Sequence, residues 1–112
     1  MTLNELAAQI HSTAVEHGWY EKERPFTELI ALAHSELSEA LEEYQQVYTD
    51  GYTFTYKSGD SEKPEGIPLE LADVLIGVLD MCGYYGIDID EAVRQKMAYN
   101  ETRPYGHGNK RA

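Results

Sequence analysis

Hydrophobic positions recur every three or four residues along most of the chain, which is the period of an α-helix. The first predicted helix begins after Thr2, which forms a capping-box pattern with Glu5, and it ends at Gly18. The second predicted helix runs from about Pro25 to about Val47, since proline is tolerated in a first helical turn. Both helices are amphipathic, so each should bury one face against a neighbour.

Two further helices are predicted in the second half of the chain. The third, from Leu69 to about Tyr84, is apolar on nearly its whole circumference, which is typical of a helix inside a bundle or at a subunit interface. The fourth begins at Asp88 and ends before Pro104, because the residue preceding a proline is disfavoured in a helix. The second and third helices are separated by a long loop.

That loop covers residues 48–68 and is longer than most connections within helical domains. Residues 52–56 alternate aromatic side chains with threonine, and a turn signal follows at residues 58–60. The pattern is compatible with a small β flap and equally with a surface loop. The predicted fold is therefore all-α, a single domain over residues 1–112 whose four-helix, bundle-like subunit carries one long loop between its second and third helices.

Composition narrows the functional classes. The chain has 20 acidic and 9 basic residues, a net charge of -11 and one cysteine, Cys82. A disulfide framework is excluded, and without a signal-peptide pattern a cytoplasmic location is expected. Acidic residues interrupt the longest apolar-rich stretch, so no membrane span is expected. The negative charge also argues against binding a nucleic-acid polymer, which draws on lysine and arginine.

The charge is unevenly distributed. Residues 94–112 sum to +4, whereas residues 1–93 sum to -15. One interpretation is a solvated acidic face with an unremarkable tail. The other is that cations bind the acidic residues while the basic tail meets an anionic substrate.

The acidic residues include two matching pairs, Glu36 with Glu39 on the second helix and Glu70 with Asp73 on the third. At three-residue spacing, the carboxylates of each pair project from one helix face. Glu36 is expected to be half buried, with Glu39 further outside the apolar face. On the third helix, Glu70 and Asp73 share one narrow stripe with Gly77 and Asp80, and apolar residues fill the rest of the circumference.

Four carboxylates between two packed helices would repel one another strongly without cations, because the repulsion rises with loss of solvent. Oxygen ligands of this kind suit Mg²⁺ or Mn²⁺, and no cysteine or histidine lies at a spacing that would favour zinc. The alternative is that one or both stripes face water. Together the two pairs favour a metal site.

The fourth helix carries a complementary stripe. Lys96, Asn100 and Arg103 lie at i, i+4 and i+7, and Lys110 follows beyond the helix. Cations with a neutral amide on one face suit an oligophosphate, although an ordinary solvated helix would show the same pattern.

Aromatic side chains are candidates for stacking on a base. Trp19 and Tyr20 follow the glycine that ends the first helix, and the long loop contributes three more. The alternative is that these side chains pack at the ends of the bundle or at a subunit interface. The four histidines show no metal-ligand spacing, so they are interpreted as surface or loosely packed residues: His11, His17, His34 and His107.

Taken in order, the two acidic motifs and the downstream Lys96–Asn100 and Arg103-Pro104-Tyr105 segments resemble the MazG-like, all-α nucleoside triphosphate pyrophosphohydrolase superfamily. The resemblance covers about residues 28–111. It implies a dimer or tetramer of bundle-like subunits that hydrolyses a nucleoside triphosphate to the monophosphate and pyrophosphate.

The resemblance also implies roles for individual residues. The Mg²⁺ ligands would be Glu36, Glu39, Glu70 and Asp73. Lys96, Asn100 and Arg103 would hold the phosphates or sugar, with Lys110 and Trp19 as further contacts, and Glu39 would accept the proton of the attacking water. Two alternatives stay open: a phosphoribosyl-type pyrophosphorylated metabolite as the substrate, or a non-catalytic acidic helical module that docks a basic partner.

Overall fold

A computed structural model describes residues 1–46 and 49–104 of the chain. This part of the chain is all-helical, with four α-helices in the predicted order. They are α1 (Leu3–Glu16), α2 (Phe26–Gln46), α3 (Ile67–Tyr85) and α4 (Ile89–Thr102), with a short 3₁₀ helix at Thr49–Tyr52. The helix boundaries lie within a few residues of those predicted.

Local signals account for the ends of the helices. The capping box of α1 is confirmed, since Thr2 accepts from the backbone of Glu5 and the Glu5 side chain accepts from the backbone of Thr2. Asp88 caps α4 by accepting from the backbone N–H of Glu91. Gly86 ends α3 in the left-handed conformation at φ 67°, which glycine adopts at no steric cost.

The helix α3 lies at the centre of the fold, because both α1 and α2 pack against it, while α4 packs against α1. The core between α1 and α3 is built on Ala7, Leu79 and Cys82. A Cβ atom at Gly83 would lie 2.8 Å from the Cβ of His11, so a glycine at this position lets the two helices approach closely. The acidic stripe of α3 faces α2 at Gly77, where a Cβ atom would lie 3.4 Å from Oε2 of Glu36.

Several leucines of α2 and α3 are exposed in the single chain. Leu71 and Leu75 on α3 are about half exposed, and so are Leu37 and Leu41 on α2. The Cα radius of gyration of 16.7 Å also exceeds the roughly 13 Å of a compact domain of this length. The apolar surface of α3 is therefore only partly covered by the other helices of its own chain.

The long loop is held against the helices in its second half. Tyr56 and Glu65 exchange two backbone hydrogen bonds of 3.0 and 2.8 Å in an isolated antiparallel bridge. A Cβ at Gly66, where φ is 126°, would lie 2.4 Å from the carbonyl oxygen of Phe54, so only glycine fits there. One bridge is not a strand, and the β flap stays a prediction.

None of the described helices has the length and apolar character needed to cross a membrane.

Candidate functional site

The four predicted ligand carboxylates lie where α2 packs on α3. Glu36 and Glu39 come from the middle of α2, and Glu70 and Asp73 from the first two turns of α3. Burial raises the pKa of Glu36, and the charges of Asp73, Glu39 and Glu70 raise it further. The structure thus brings both acidic pairs into one electrostatic cluster, here called the carboxylate cluster.

Glu70 lies in the same environment. Burial again raises its pKa most, followed by the charge of Glu39, a hydrogen bond with Glu39 and the charge of Asp73. Lys63 in the long loop acts in the opposite direction. Since neighbouring carboxylates raise the pKa of both Glu36 and Glu70, the cluster is short of positive charge.

Two oxygens of the cluster are buried without a hydrogen-bond partner, Oε2 of Glu36 and Oε2 of Glu70. Glu39 and Asp73 are exposed, so the alternative that the acidic stripes face water applies at these two positions. Among the described residues, no three His, Cys, Asp or Glu side chains are arranged to hold a metal ion. The carboxylates are neighbours, but they do not converge on one point.

A cleft of about 770 Å³ opens beside the carboxylate cluster, between α1, α2 and α3. Its acidic end includes Glu36, Glu39 and Asp73, while Glu70 adjoins it through Glu39. The rest of the wall is mostly apolar, from residues of α1, α2 and α3, with Trp19 also lining it: Ile10, Ala14, Leu29, Leu32, Ala33, Ile76 and Met81. A cleft that joins carboxylates to an apolar wall suits a ligand with one highly charged end and one flat, apolar end.

Trp19 lies at this cleft with one neighbour fixed over its ring. The guanidinium carbon of Arg24 lies 3.9 Å from the ring centroid, and Arg24 Nε donates to the carbonyl oxygen of Trp19 at 3.0 Å. Arg24 is itself paired with Glu28 at 3.3 Å. These contacts hold the indole in place, and its position fits the predicted stacking role.

The basic stripe of α4 does not line the cleft. Lys96 Nζ and Arg103 Cζ lie 5.5 and 5.7 Å from the ring centroid of Tyr99, within the range of a cation–π interaction. Asn100 Oδ1 is buried with no hydrogen-bond partner. Lys110 lies outside the described residues. The structure therefore groups Lys96, Asn100 and Arg103 with one another and not with the carboxylate cluster.

Sequence reasoning missed a buried network around Asp80. One carboxylate oxygen of Asp80 accepts from His11 Nδ1 at 2.9 Å, and the other accepts from the hydroxyl of Tyr20 at 2.6 Å. His11 was expected to be a surface or loosely packed residue, which is wrong, because this contact joins it to α3. Burial, followed by the hydrogen bond to Asp80, raises the pKa of Tyr20 and keeps its hydroxyl a donor. The partners lie 60 or more residues apart, so helical spacing could not reveal them.

A second missed contact fixes the long loop to α2. Glu43 is 8% exposed and accepts from the hydroxyl of Tyr56 at 2.6 Å. That hydrogen bond, with burial and the charge of Glu43, raises the pKa of Tyr56 to about 12. Glu43 lies one turn beyond Glu39, so the loop is attached next to the carboxylate cluster. The sequence signal for this contact was an acidic residue, Glu43, at a position that continues the apolar face of α2.

Comparison with known proteins gives one partial similarity. A stretch of 42 residues, 38% of this chain, is 45% identical to a dATP/dGTP diphosphohydrolase from Cyanophage S-2L, and it spans 40% of that relative's length. No family model matches the chain, and no solved structure matches it. The similarity therefore links part of this chain to part of an enzyme named for nucleotide hydrolysis.

The contact between Tyr56 and Glu43 predicts a specific pH dependence. A folded-state pKa of about 12 lies above the value of about 10 for a free tyrosine, so this contact stabilises the fold fully below about pH 10. The contribution is then lost as the pH rises through about 12. We expect Glu43→Gln to lower the pKa of Tyr56 towards that of free tyrosine, measured by NMR titration of ¹³C-labelled tyrosine and assigned with Tyr56→Phe. Glu42→Gln, at the exposed neighbouring position, should leave it unchanged. If the pKa of Tyr56 in Glu43→Gln were the same as in the wild-type protein, that result would contradict the contact.

Proposed function

We propose that this protein is a divalent-cation-dependent hydrolase that converts a nucleoside triphosphate to the monophosphate and pyrophosphate. The observation that carries the proposal is the cleft, which joins a carboxylate cluster with unpartnered buried oxygens to an apolar wall with a fixed tryptophan. The partial similarity to a dATP/dGTP diphosphohydrolase supports purine deoxynucleoside triphosphates as the substrate class. Membership of the MazG-like superfamily is part of the same proposal.

The carboxylate cluster fits a hard divalent cation. Glu36 and Glu70 each hold a buried oxygen without a hydrogen donor, a state that is costly unless a cation or a proton arrives. All four side chains are oxygen donors, which suits Mg²⁺ or Mn²⁺. In this proposal Glu36, Glu39, Glu70 and Asp73 would hold the cation after their side chains rotate towards it, since they do not converge on one point without it. When bound, it supplies neutralisation of the phosphate charge and Lewis acidity.

The residues of the chain then divide the remaining tasks. Glu39, the exposed acid of α2, accepts the proton of the attacking water. Trp19 stacks on the base at the apolar end of the cleft, with Arg24 holding the indole ring. The apolar wall excludes water from the base, while the acidic end stays open for the triphosphate.

The α4 residues have a separate place in the proposal. Lys96, Asn100 and Arg103 do not line the cleft of their own chain, so their contact with substrate phosphates needs either a second copy or a rearrangement of α4. We propose a homo-oligomer, a dimer or a tetramer, because exposed leucines on both α2 and α3 leave apolar surface that a second subunit can cover.

Removing one ligand should abolish the proposed reaction. We expect Glu70→Gln to lower Mg²⁺-dependent pyrophosphate release from dGTP or dATP by at least about 100-fold, because an amide is a poor cation ligand. The assay measures pyrophosphate and orthophosphate separately, with and without Mg²⁺. The control is Glu42→Gln, an exposed acid of the same charge on α2, which should retain wild-type activity. Activity retained in Glu70→Gln would refute the cation site, and orthophosphate as the product would refute cleavage next to the α-phosphate.

Assembly is tested by sedimentation velocity at micromolar concentration. We expect the wild-type protein to sediment as a dimer or tetramer and Leu41→Glu to shift it towards the monomer, because Leu41 is 58% exposed in the single chain. Val15→Glu is the control, since Val15 is similarly exposed, at 50%, on α1. A wild-type monomer would contradict the proposed assembly. Equal dissociation by both substitutions would exclude the α2 surface as its specific site.

A further inference from the structure

The cleft contains an acidic residue that the carboxylate cluster does not use. Asp80 lines the cleft two turns of α3 beyond Asp73, and seven residues of helix place it about 10 Å further along the axis. Only 8% of Asp80 is exposed, and it lies between Gly77 and Met81, which also line the cleft. Because of this distance, Asp80 would contact a different part of a bound ligand than Asp73 does.

The carboxylate of Asp80 is held in one orientation. His11 Nδ1 lies 2.9 Å from one oxygen and the Tyr20 hydroxyl lies 2.6 Å from the other, so the two contacts tie α3 to α1 and to the segment that follows it. Tyr84 stacks on Tyr20 with ring centroids 4.5 Å apart, which fixes the phenol. Each carboxylate oxygen can accept a second hydrogen bond, so acceptor capacity remains.

The chemistry of this position selects what can lie next to it. An ionised carboxylate accepts hydrogen bonds and cannot donate them, so it attracts N–H groups and repels phosphate and carbonyl oxygens. The cleft is lined mostly by flat or apolar side chains, among them Trp19, Leu29 and Met81, and its polar lining also includes Gln9, Thr13 and His17. The part of a nucleotide that meets both conditions is the edge of an aromatic base that carries an N–H donor, and an exocyclic amino group offers two such hydrogens.

We propose that Asp80 accepts a hydrogen bond from the exocyclic amino group of the base and so selects nucleotides whose base carries one. The inference rests on the proposed function and makes it more specific, since it names the feature of the substrate that is read and the residue that reads it. His11 and Tyr20 are positioning residues, because each acts through the carboxylate of Asp80. A nucleotide with a carbonyl or a hydrogen in place of the amino group lacks this additional hydrogen bond, while those from His11 and Tyr20 remain.

The test compares three substrates of equal charge, dGTP, dATP and dITP, the last of which has no exocyclic amino group. We expect the wild-type protein to show a kcat/KM for dGTP or dATP at least about tenfold above that for dITP, because a lost hydrogen bond to a buried charged group costs that much or more. Asp80→Asn should bring the ratio towards one, mainly through KM for the amino-bearing substrate.

Asp90→Asn is the matched control. Asp90 also fixes α1 with two hydrogen bonds, from the backbone N–H groups of Leu3 and Asn4 at 3.0 Å each, but it does not line the cleft. The control substitution should lower thermal stability and leave the substrate ratio at the wild-type value. A change in ratio confined to Asp80→Asn therefore separates base recognition from a structural role.

The outcomes are distinguishable even if Asp80→Asn does not fold. Equal kcat/KM values for the three nucleotides in the wild-type protein would overturn the role of Asp80 while leaving the proposed function intact. A wild-type ratio retained in a folded Asp80→Asn variant would do the same. Absence of pyrophosphate from all three nucleotides would overturn the proposed function, and the role of Asp80 with it.

Discussion

The packing of α2 against α3 holds like charges together, and the other features of the site follow from this constraint. Two helices that each carry a pair of carboxylates meet at the surfaces where those pairs lie, so Glu36 and Glu70 lose solvent while facing acidic neighbours. A buried polar atom without a partner costs on the order of 1–3 kcal/mol, and a charged one costs more. A fold that keeps two such atoms has a cation, a proton or a bound water to offset them, and the proposed function assigns them a cation.

The helix α3 supplies both ends of this arrangement. Its first turns carry Glu70 and Asp73, and two turns further on Asp80 is bonded to His11 and Tyr20. The close approach at Gly83 draws α1 against its far end. One helix thus fixes the distance between the carboxylate cluster and the buried acid, and the cleft between α1, α2 and α3 takes its length from that spacing. On the other side of the cluster, the Tyr56–Glu43 contact attaches the long loop to α2.

The sequence was informative wherever the signal is local. Helical periodicity and the caps at Thr2 and Asp88 predicted four helices, and three-residue spacing within α2 and within α3 was enough to place each carboxylate pair on one face. Contacts between distant segments could not be predicted in this way. His11 and Asp80 lie 69 residues apart, and only the packing of α1 on α3 makes them partners. The same limit applies to the basic stripe of the fourth helix, where Lys96 and Asn100 lie one turn apart on α4, Arg103 follows its end in an extended conformation, and none of the three lines the cleft of the same chain.

The central claim is that the carboxylate cluster is a divalent-cation site. Its most direct test is the binding of Mn²⁺, followed by the loss of its free-ion electron paramagnetic resonance signal, with and without a non-hydrolysable α,β-imido analogue of dGTP, after subtraction of the loss that the analogue causes without protein. We expect saturable binding of at least one Mn²⁺ per chain. Mg²⁺ should compete with this binding, and the binding should be lost when Glu36 and Glu70 are both changed to glutamine in a protein that remains folded. Binding retained in that double variant, or no saturable binding to the wild-type protein in the presence of the analogue, would contradict it.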